Sequence, residues 1–401
     1  MFVMEHILSH IAHTLQLDRV QVQRTNLLST GQLALIGQPV QDCSLSEMWD
    51  QLYNEKYLEL HRQAAEFNKI NSGSEYRQAV AMVPTKFGIA FGVRHLNQAS
   101  ALVHLQRDGS VLIAHGGVEM GQGLHTKLVQ VAAQAFRIPR EWVKIKETST
   151  ATVANSSATA ASASSDLYGR AVLDACTQLL DRLKNIDDSI ASWKERIEKA
   201  YLERIDLSAH GFYKTRLEGF DWESGQGQMF SYFTYGVALA HVQVDLLTGD
   251  HQVLASHLLM DLGLPINAAI DIGQVEGAFL QGLGLFTREE LLYSPKDGML
   301  LTRGPGTYKI PAVQDVPRIF TTRLHCNNDN GNGVKGLMGS KAVGEPPLFL
   351  AASVFFAIQK VIQEQGDKEY IQFDSPATPE AVKLALDHLE MLPGPRWCVR
   401  I

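Results

Sequence analysis

One carboxylate stands where a general base would stand. Glu345 precedes Pro346-Pro347 and the run Leu348 to Ile362, which is apolar nearly all round (Phe349, Leu350, Ala351, Ala352, Val354, Phe355, Phe356). Proline suits the first turn of a helix, where its missing N–H would be unpaired anyway. Glu345 therefore reads as the N-cap of a buried helix. The helix dipole favours the carboxylate anion there, while low polarity favours the neutral acid. A group held between those two influences is suited to accept a proton. The competing reading is a plain capping residue, and one helix start does not separate the two.

Three further junctions share one chemical logic. Gly121-Gln122-Gly123 closes a glycine-rich turn that begins at Gly116 and opens a helix carrying Leu124, Leu128, Val129, Ala132, Ala135 and Phe136 at helical spacing. Its glycines would let the backbone approach a ligand, helix N–H groups would point at it, and the Gln122 amide can both donate and accept. Thr159-Ala160-Ala161-Ser162-Ala163-Ser164 offers only small side chains, leaving backbone amides and the Ser162 and Ser164 hydroxyls to wrap an anion. Gly273-Gln274 places a second amide at an expected helix start, with Asp271 and Glu276 as its charged neighbours. Singly these are weak signals; together they describe a polar, phosphate-bearing cofactor.

The elements that must position these groups follow from the patterning. Helices are expected over residues 1 to about 16 and from Ser46 to Ile70, the latter with Trp49, Leu52, Tyr53, Leu58 and Leu60 on its apolar side. Asn71-Ser72-Gly73-Ser74 breaks the pattern, and a boundary is placed near residue 72, dividing the chain into 1–72 and 73–401. Strands are expected at Phe87–Val93, Ala101–Leu105, Val111–Ala114 and around Val143 and Ile145, with an Asp108-Gly109 turn. A polar run, Thr148 to Ser165, feeds a helix to Leu183; residues 184–230 read as irregular. Two strands between Phe233 and Met260 meet at Thr248-Gly249-Asp250, and a further helix ends at Leu283. Asn327 to Gly339 reads as a surface loop. The expected fold class is α+β, mixed sheets with helices that start at Gly-rich turns.

Composition excludes several function classes. The 401 residues are 45% hydrophobic and 20% charged, with a formal net charge of −7. That balance gives a globular chain with no basic field for nucleic acid or an anionic membrane. Cys43, Cys176, Cys326 and Cys398 lie far apart, so neither a disulfide framework nor a cysteine metal site is indicated. No apolar run is long enough to span a bilayer, and the N-terminus lacks the regions of a signal peptide. A cytoplasmic location is expected, with a peroxisomal one as the alternative. The amphipathic pattern starts at once, without a cap, which suggests missing upstream sequence.

Gly116 to Gln130, Thr148 to Asp166, Phe233 to Asp250, Asn267 to Phe286 and Ser340 to Ile358 closely resemble the molybdopterin-binding region of the molybdenum hydroxylases, the family of xanthine dehydrogenase and aldehyde oxidase. The resemblance covers nearly all of the chain from Pro84 onward, and its first seventy residues more loosely. Thr159-Ala160-Ala161-Ser162 and Ala342-Val343-Gly344-Glu345-Pro346-Pro347 look like the xanthine dehydrogenase branch; aldehyde oxidases tend to carry Ser-Gly-Gly-Ser and Gly-Leu-Gly-Glu-Ser-Gly there. The resemblance implies hydroxylation of a purine, hypoxanthine or xanthine to urate, with Glu345 as base and no protein ligand to the metal. It implies Gln122, flanked by Gly121 and Gly123, beside the molybdenum, Ala161, Ser162 and Ser164 at the pterin phosphate, and Gln274 at the pterin ring. Phe91 would pack against the substrate. Gly92 stands where threonine is usual, and Ala268 where proline is usual.

The same resemblance implies a Mo-molybdopterin cofactor and, in the complete enzyme, 2Fe-2S clusters and FAD. Iron–sulfur and flavin domains are expected upstream, in the same chain or in separate subunits, and the assembly is expected to be a homodimer. None of those domains is present in this chain. Isolated, it is expected to be inactive. An aldehyde oxidase acting on aldehydes and N-heterocycles is the alternative activity, and a non-catalytic remnant the alternative of another class.

Overall fold

The computed structural model describes residues 1–186, 192–217, 219–325, 336–366 and 370–391. The first helices are α1 (Phe2–Thr14), α2 (Arg19–Thr25), α3 (Leu45–Leu52) and α4 (Leu58–Ile70). A π turn over Tyr53–Tyr57 joins α3 to α4, so the expected single helix forms with one local widening. The α2 helix was not expected.

Two mixed four-stranded sheets carry the rest. In the first, β1 (Tyr76–Ile89), β8 (Tyr232–Asp245), β9 (His251–Asp261) and β10 (Ile319–His325) lie in that order, antiparallel except for the parallel β9–β10 pair. In the second, the order is β4 (Val143–Ile145), β3 (Val111–His115), β2 (Gln98–Leu105) and β5 (Ser208–Lys214), with only β3–β4 parallel. A small ribbon pairs β6 (Gly219–Asp221) with β7 (Gln226–Gln228). The helices after β3 are α5 (Leu124–Phe136), α6 (Ser164–Leu183), α7 (Trp193–Leu202), α8 (Ala268–Thr287), α9 (Ala352–Gln365) and α10 (Pro379–Met391).

Strand periodicity sorts the cores. Ala79, Ala81 and Val83 of β1, with Ala238, Ala240 and Val242 of β8, face α8, α9 and α10. Val80, Met82, Val237 and Leu239, one residue out of phase, face α3 and α4 through Met48, Trp49, Leu52 and Ala64. The first sheet is thus buried on both faces. The second sheet packs against α5, α6 and α7 through Val103, Ile113, Leu128, Val131, Ala171, Cys176 and Ile197.

Several expectations are corrected. The strand expected at Phe87–Val93 is instead β1, ending at Ile89 and leaving Phe91 and Gly92 in the following loop. Residues 184–230 are not irregular: among those described they hold α7, β5, β6 and β7. Most of the expected Asn327–Gly339 loop, together with Cys326 and Cys398, lies outside the described residues; Cys43 and Cys176 are free thiols. Among the described residues, no helix is long and apolar enough to cross a membrane.

Candidate active site

A cavity of about 220 Å³ opens where the starts of α5 and α6, the second turn of α8 and the segment before α9 converge. Gln122, Ser162, Ser164, Gln274 and Glu345 all line it, drawn from four places in the sequence, together with Thr159, Ser165, Asp166, Lys127 and Lys341. Gly121, Gly123 and Ala161 supply backbone beside those side chains. Phe91 and Gly92 do not line it.

The glycine turn differs from expectation in where its N–H groups go. Glu119 folds its carboxylate back to accept from Gly121 N (3.0 Å), Gly123 N (2.9 Å) and His125 N (2.9 Å). Those amides therefore do not point at a ligand. Burial would raise the Glu119 carboxyl, but the three backbone bonds outweigh it and hold the group below the ordinary glutamate range. Gln122 is likewise tied to its own turn, its Oε1 accepting from Met120 N (2.6 Å) and its Nε2 donating to Val118 O (2.8 Å). Gly123 needs its glycine: φ is 79°, and a Cβ would sit 2.6 Å from Ile270 Cδ1, so the close approach is to α8 rather than to a ligand. Beneath the turn, His115 accepts from Gly117 N through Nδ1, and burial pulls its pKa down to about 4, so the ring is neutral.

The small-residue loop is strained and already engaged. Ala161 and Ser162 both occupy the left-handed region, with φ of 55° and 52°, a costly conformation for side-chain-bearing residues. Two reciprocal bonds hold it against the Glu345 segment. Glu345 N donates to Ser162 Oγ (2.8 Å), and Ala161 N donates to the Glu345 carboxylate. The Ser162 oxygen thus accepts from Glu345 N, which leaves its O–H hydrogen to donate elsewhere. Gly344 fits beside it, since a Cβ there would lie 3.0 Å from Ser162 Oγ. The helix that follows starts at Ser164 rather than Asp166.

Glu345 itself is not a buried N-cap. It is exposed at the cavity rim, its side chain caps no helix, and the run from Leu348 opens as a 3₁₀ turn before α9 begins at Ala352. Pro346 and Pro347 hold the chain off helix until that turn. Desolvation by the cavity wall still raises its carboxyl above the ordinary range, opposed by the Ala161 N–H. The proton-accepting anion is present above that raised pKa and lost below it. Gln274 also departs from expectation: α8 is capped by Asn267, whose side chain accepts from Ile270 N, so Gln274 sits in the second turn.

Buried charges fix this frame, and sequence reasoning missed most of them. Lys127 Nζ bonds Asp271 Oδ1 at 2.5 Å, joining α5 to α8. Lys341 Nζ bonds Asp261 Oδ2 at 2.7 Å, with side-chain exposures of 2% and 0%, anchoring the Glu345 segment to the end of β9. Asp166 accepts from Tyr232 O–H (2.5 Å) and Leu337 N (2.7 Å), while Tyr232 Oη accepts from Ala342 N (2.9 Å). Burial raises Asp166 above the usual aspartate range, against those hydrogen bonds. The only sequence signal for Lys127 was a charge inside the apolar stripe of α5.

Residues 53–317 match the molybdopterin cofactor-binding domain family. The chain belongs to that family. It is 47% identical over 398 residues to xanthine dehydrogenase 1 of Arabidopsis thaliana and 48% identical over 397 residues to xanthine dehydrogenase/oxidase of Felis catus. Each alignment covers 96% of this chain and 29% of the relative, so the chain spans less than a third of the relatives' length. The fold matches quinoline 2-oxidoreductase from Pseudomonas putida 86, with a TM-score of 0.82 at 20% identity over 97% of this chain and 52% of that one. It also matches aldehyde oxidoreductase from Desulfovibrio gigas, with a TM-score of 0.80 at 24% identity over 96% of this chain and 40% of that one. The cavity suits the family's cofactor. Its lining offers hydrogen-bonding side chains on several sides, Gln122, Ser162, Ser164 and Gln274, beside the apolar Leu124 and Val343.

Proposed function

We propose that this chain forms one side of the molybdopterin site of a xanthine dehydrogenase-like hydroxylase and supplies its general base. Gln122, from the turn before α5, and Gln274, from α8, would face the cofactor, with Ser164 and the Ala161–Ser162 backbone toward its phosphate. The bound cofactor would supply oxygen transfer and accept the electrons. This chain's own share is to orient that group, to exclude water with the apolar Leu124 and Val343, and to take up a proton at the Glu345 carboxylate. Residues 1–72 would complete a preceding subdomain, and iron–sulfur and flavin domains would lie upstream, in a homodimer.

The observation that carries the reading is the clasp between the Ala161–Ser162 loop and Glu345. The same loop that would hold cofactor also holds Glu345, an exposed acid on the cavity rim whose carboxyl lies above the ordinary glutamate range. Glu345→Gln in the complete enzyme should abolish turnover and leave molybdenum content unchanged. Loss of molybdenum with residual turnover would contradict a base role. A purine substrate is supported by the relatives' names and by Thr159-Ala160-Ala161-Ser162; urate formation from xanthine, against carboxylate formation from an aldehyde, separates the two activities. The loss of a hydroxyl at Gly92 leaves the substrate preference open between that purine and the aldehydes of the second reading, an aldehyde oxidase.

A further inference from the structure

We propose that Glu119 is a positioning residue for Gln122, acting through the backbone of the turn that both occupy. The inference rests on the reading that Gln122 faces the cofactor. Its grounds are a pair of interlocked clasps. The Gln122 amide grips Val118 O and Met120 N, the residues on either side of Glu119. The Glu119 carboxylate grips Gly121, Gly123 and His125, the residues that flank and follow Gln122. Neither clasp closes unless the other sets the backbone between them.

The turn needs such a buckle. Gly121 and Gly123 both take positive φ, 100° and 79°, and glycines have the most conformational freedom to lose. No side chain caps the first turn of α5 from its nominal N-cap, Gly123. Glu119 supplies that cap from four residues upstream, with charge-assisted bonds that neutral acceptors do not equal. It also spends the positive end of the α5 dipole internally, so that Gln122 meets its partner as a neutral amide rather than through the helix field.

The test uses the complete enzyme with Glu119→Ala, Gln122→Ala and the double change, read by hydrogen exchange over residues 117–126, molybdenum content and turnover. Glu119→Ala should lose protection of the Gly121, Gly123 and His125 amides by about tenfold or more, and turnover by about tenfold, with molybdenum retained. The double variant should be no slower than Gln122→Ala alone, because both changes remove one function. Unchanged protection, or losses that multiply in the double variant, overturns the proposal. Full turnover in Gln122→Ala would instead sink the reading of Gln122 on which the proposal stands. Should Glu119→Ala not accumulate, Glu119→Asp, which keeps the charge but shortens the reach, is judged by the same outcomes.

Discussion

At Gly92 the backbone does not require glycine: its φ lies outside the left-handed region, and a Cβ would meet no atom within 4 Å. The choice is therefore open to chemistry. On the proposed function, a hydroxyl beside Phe91 would hydrogen-bond a bound heterocycle, a gain of about 0.5–1.5 kcal/mol. Gly92→Thr should raise kcat/KM for xanthine about two- to tenfold and leave a small aldehyde nearly unchanged. Equal losses on both substrates would remove Gly92 from the substrate site. Since Phe91 and Gly92 lie outside the cavity lining, the same assay reports whether the loop after β1 reaches the substrate at all. Residue types at the cavity were legible in advance: Gln122, Ser162, Ser164, Gln274 and Glu345 all arrive there. Their partners were not. Nothing in the spacing shows that the Glu119 carboxylate, rather than a ligand, takes the turn's amides, or that Ser162 Oγ accepts from Glu345 N.

Between elements, the buried Lys127–Asp271 pair ties α5 to α8 alongside the Asn267–Gln130 hydrogen bond, and so helps set Gln122 relative to Gln274. Removing one partner leaves the other charge buried and unpaired. Asp271→Asn should cost about 3–5 kcal/mol, whereas Lys127→Met with Asp271→Leu should recover most of that loss, because desolvation of both charges is then avoided. Denaturation midpoints decide it; a cost below about 1 kcal/mol for the single change would show the pair to be dispensable. Long, strongly periodic elements such as α5 and β8 were readable from sequence. The misses have physical causes. In β1, Arg77, Gln78 and Pro84 interrupt the apolar pattern, yet the strand is held by continuous pairing to β8. The β5 strand is an edge strand whose alternate residues face outward, so His210 and Gly211 hide it. The α2 helix is seven residues long and depends on tertiary bonds, Arg19 and Gln23 both reaching Glu5.

For the whole molecule, the proposed function makes the cavity one wall of a larger site. Its volume of about 220 Å³ falls below the roughly 300–1,000 Å³ of pockets that enclose a ligand. Val118 and Met120 stand 53% and 67% exposed on the turn beside it. A chain spanning 29% of its relatives' length would leave the opposite wall to other residues. The most direct measurement is anomalous scattering at the molybdenum edge from crystals of the complete enzyme. A single strong peak is expected at the mouth of this cavity, within reach of both Gln122 and Glu345. A molybdenum peak remote from those two residues, in an enzyme that turns over, would contradict the proposed function.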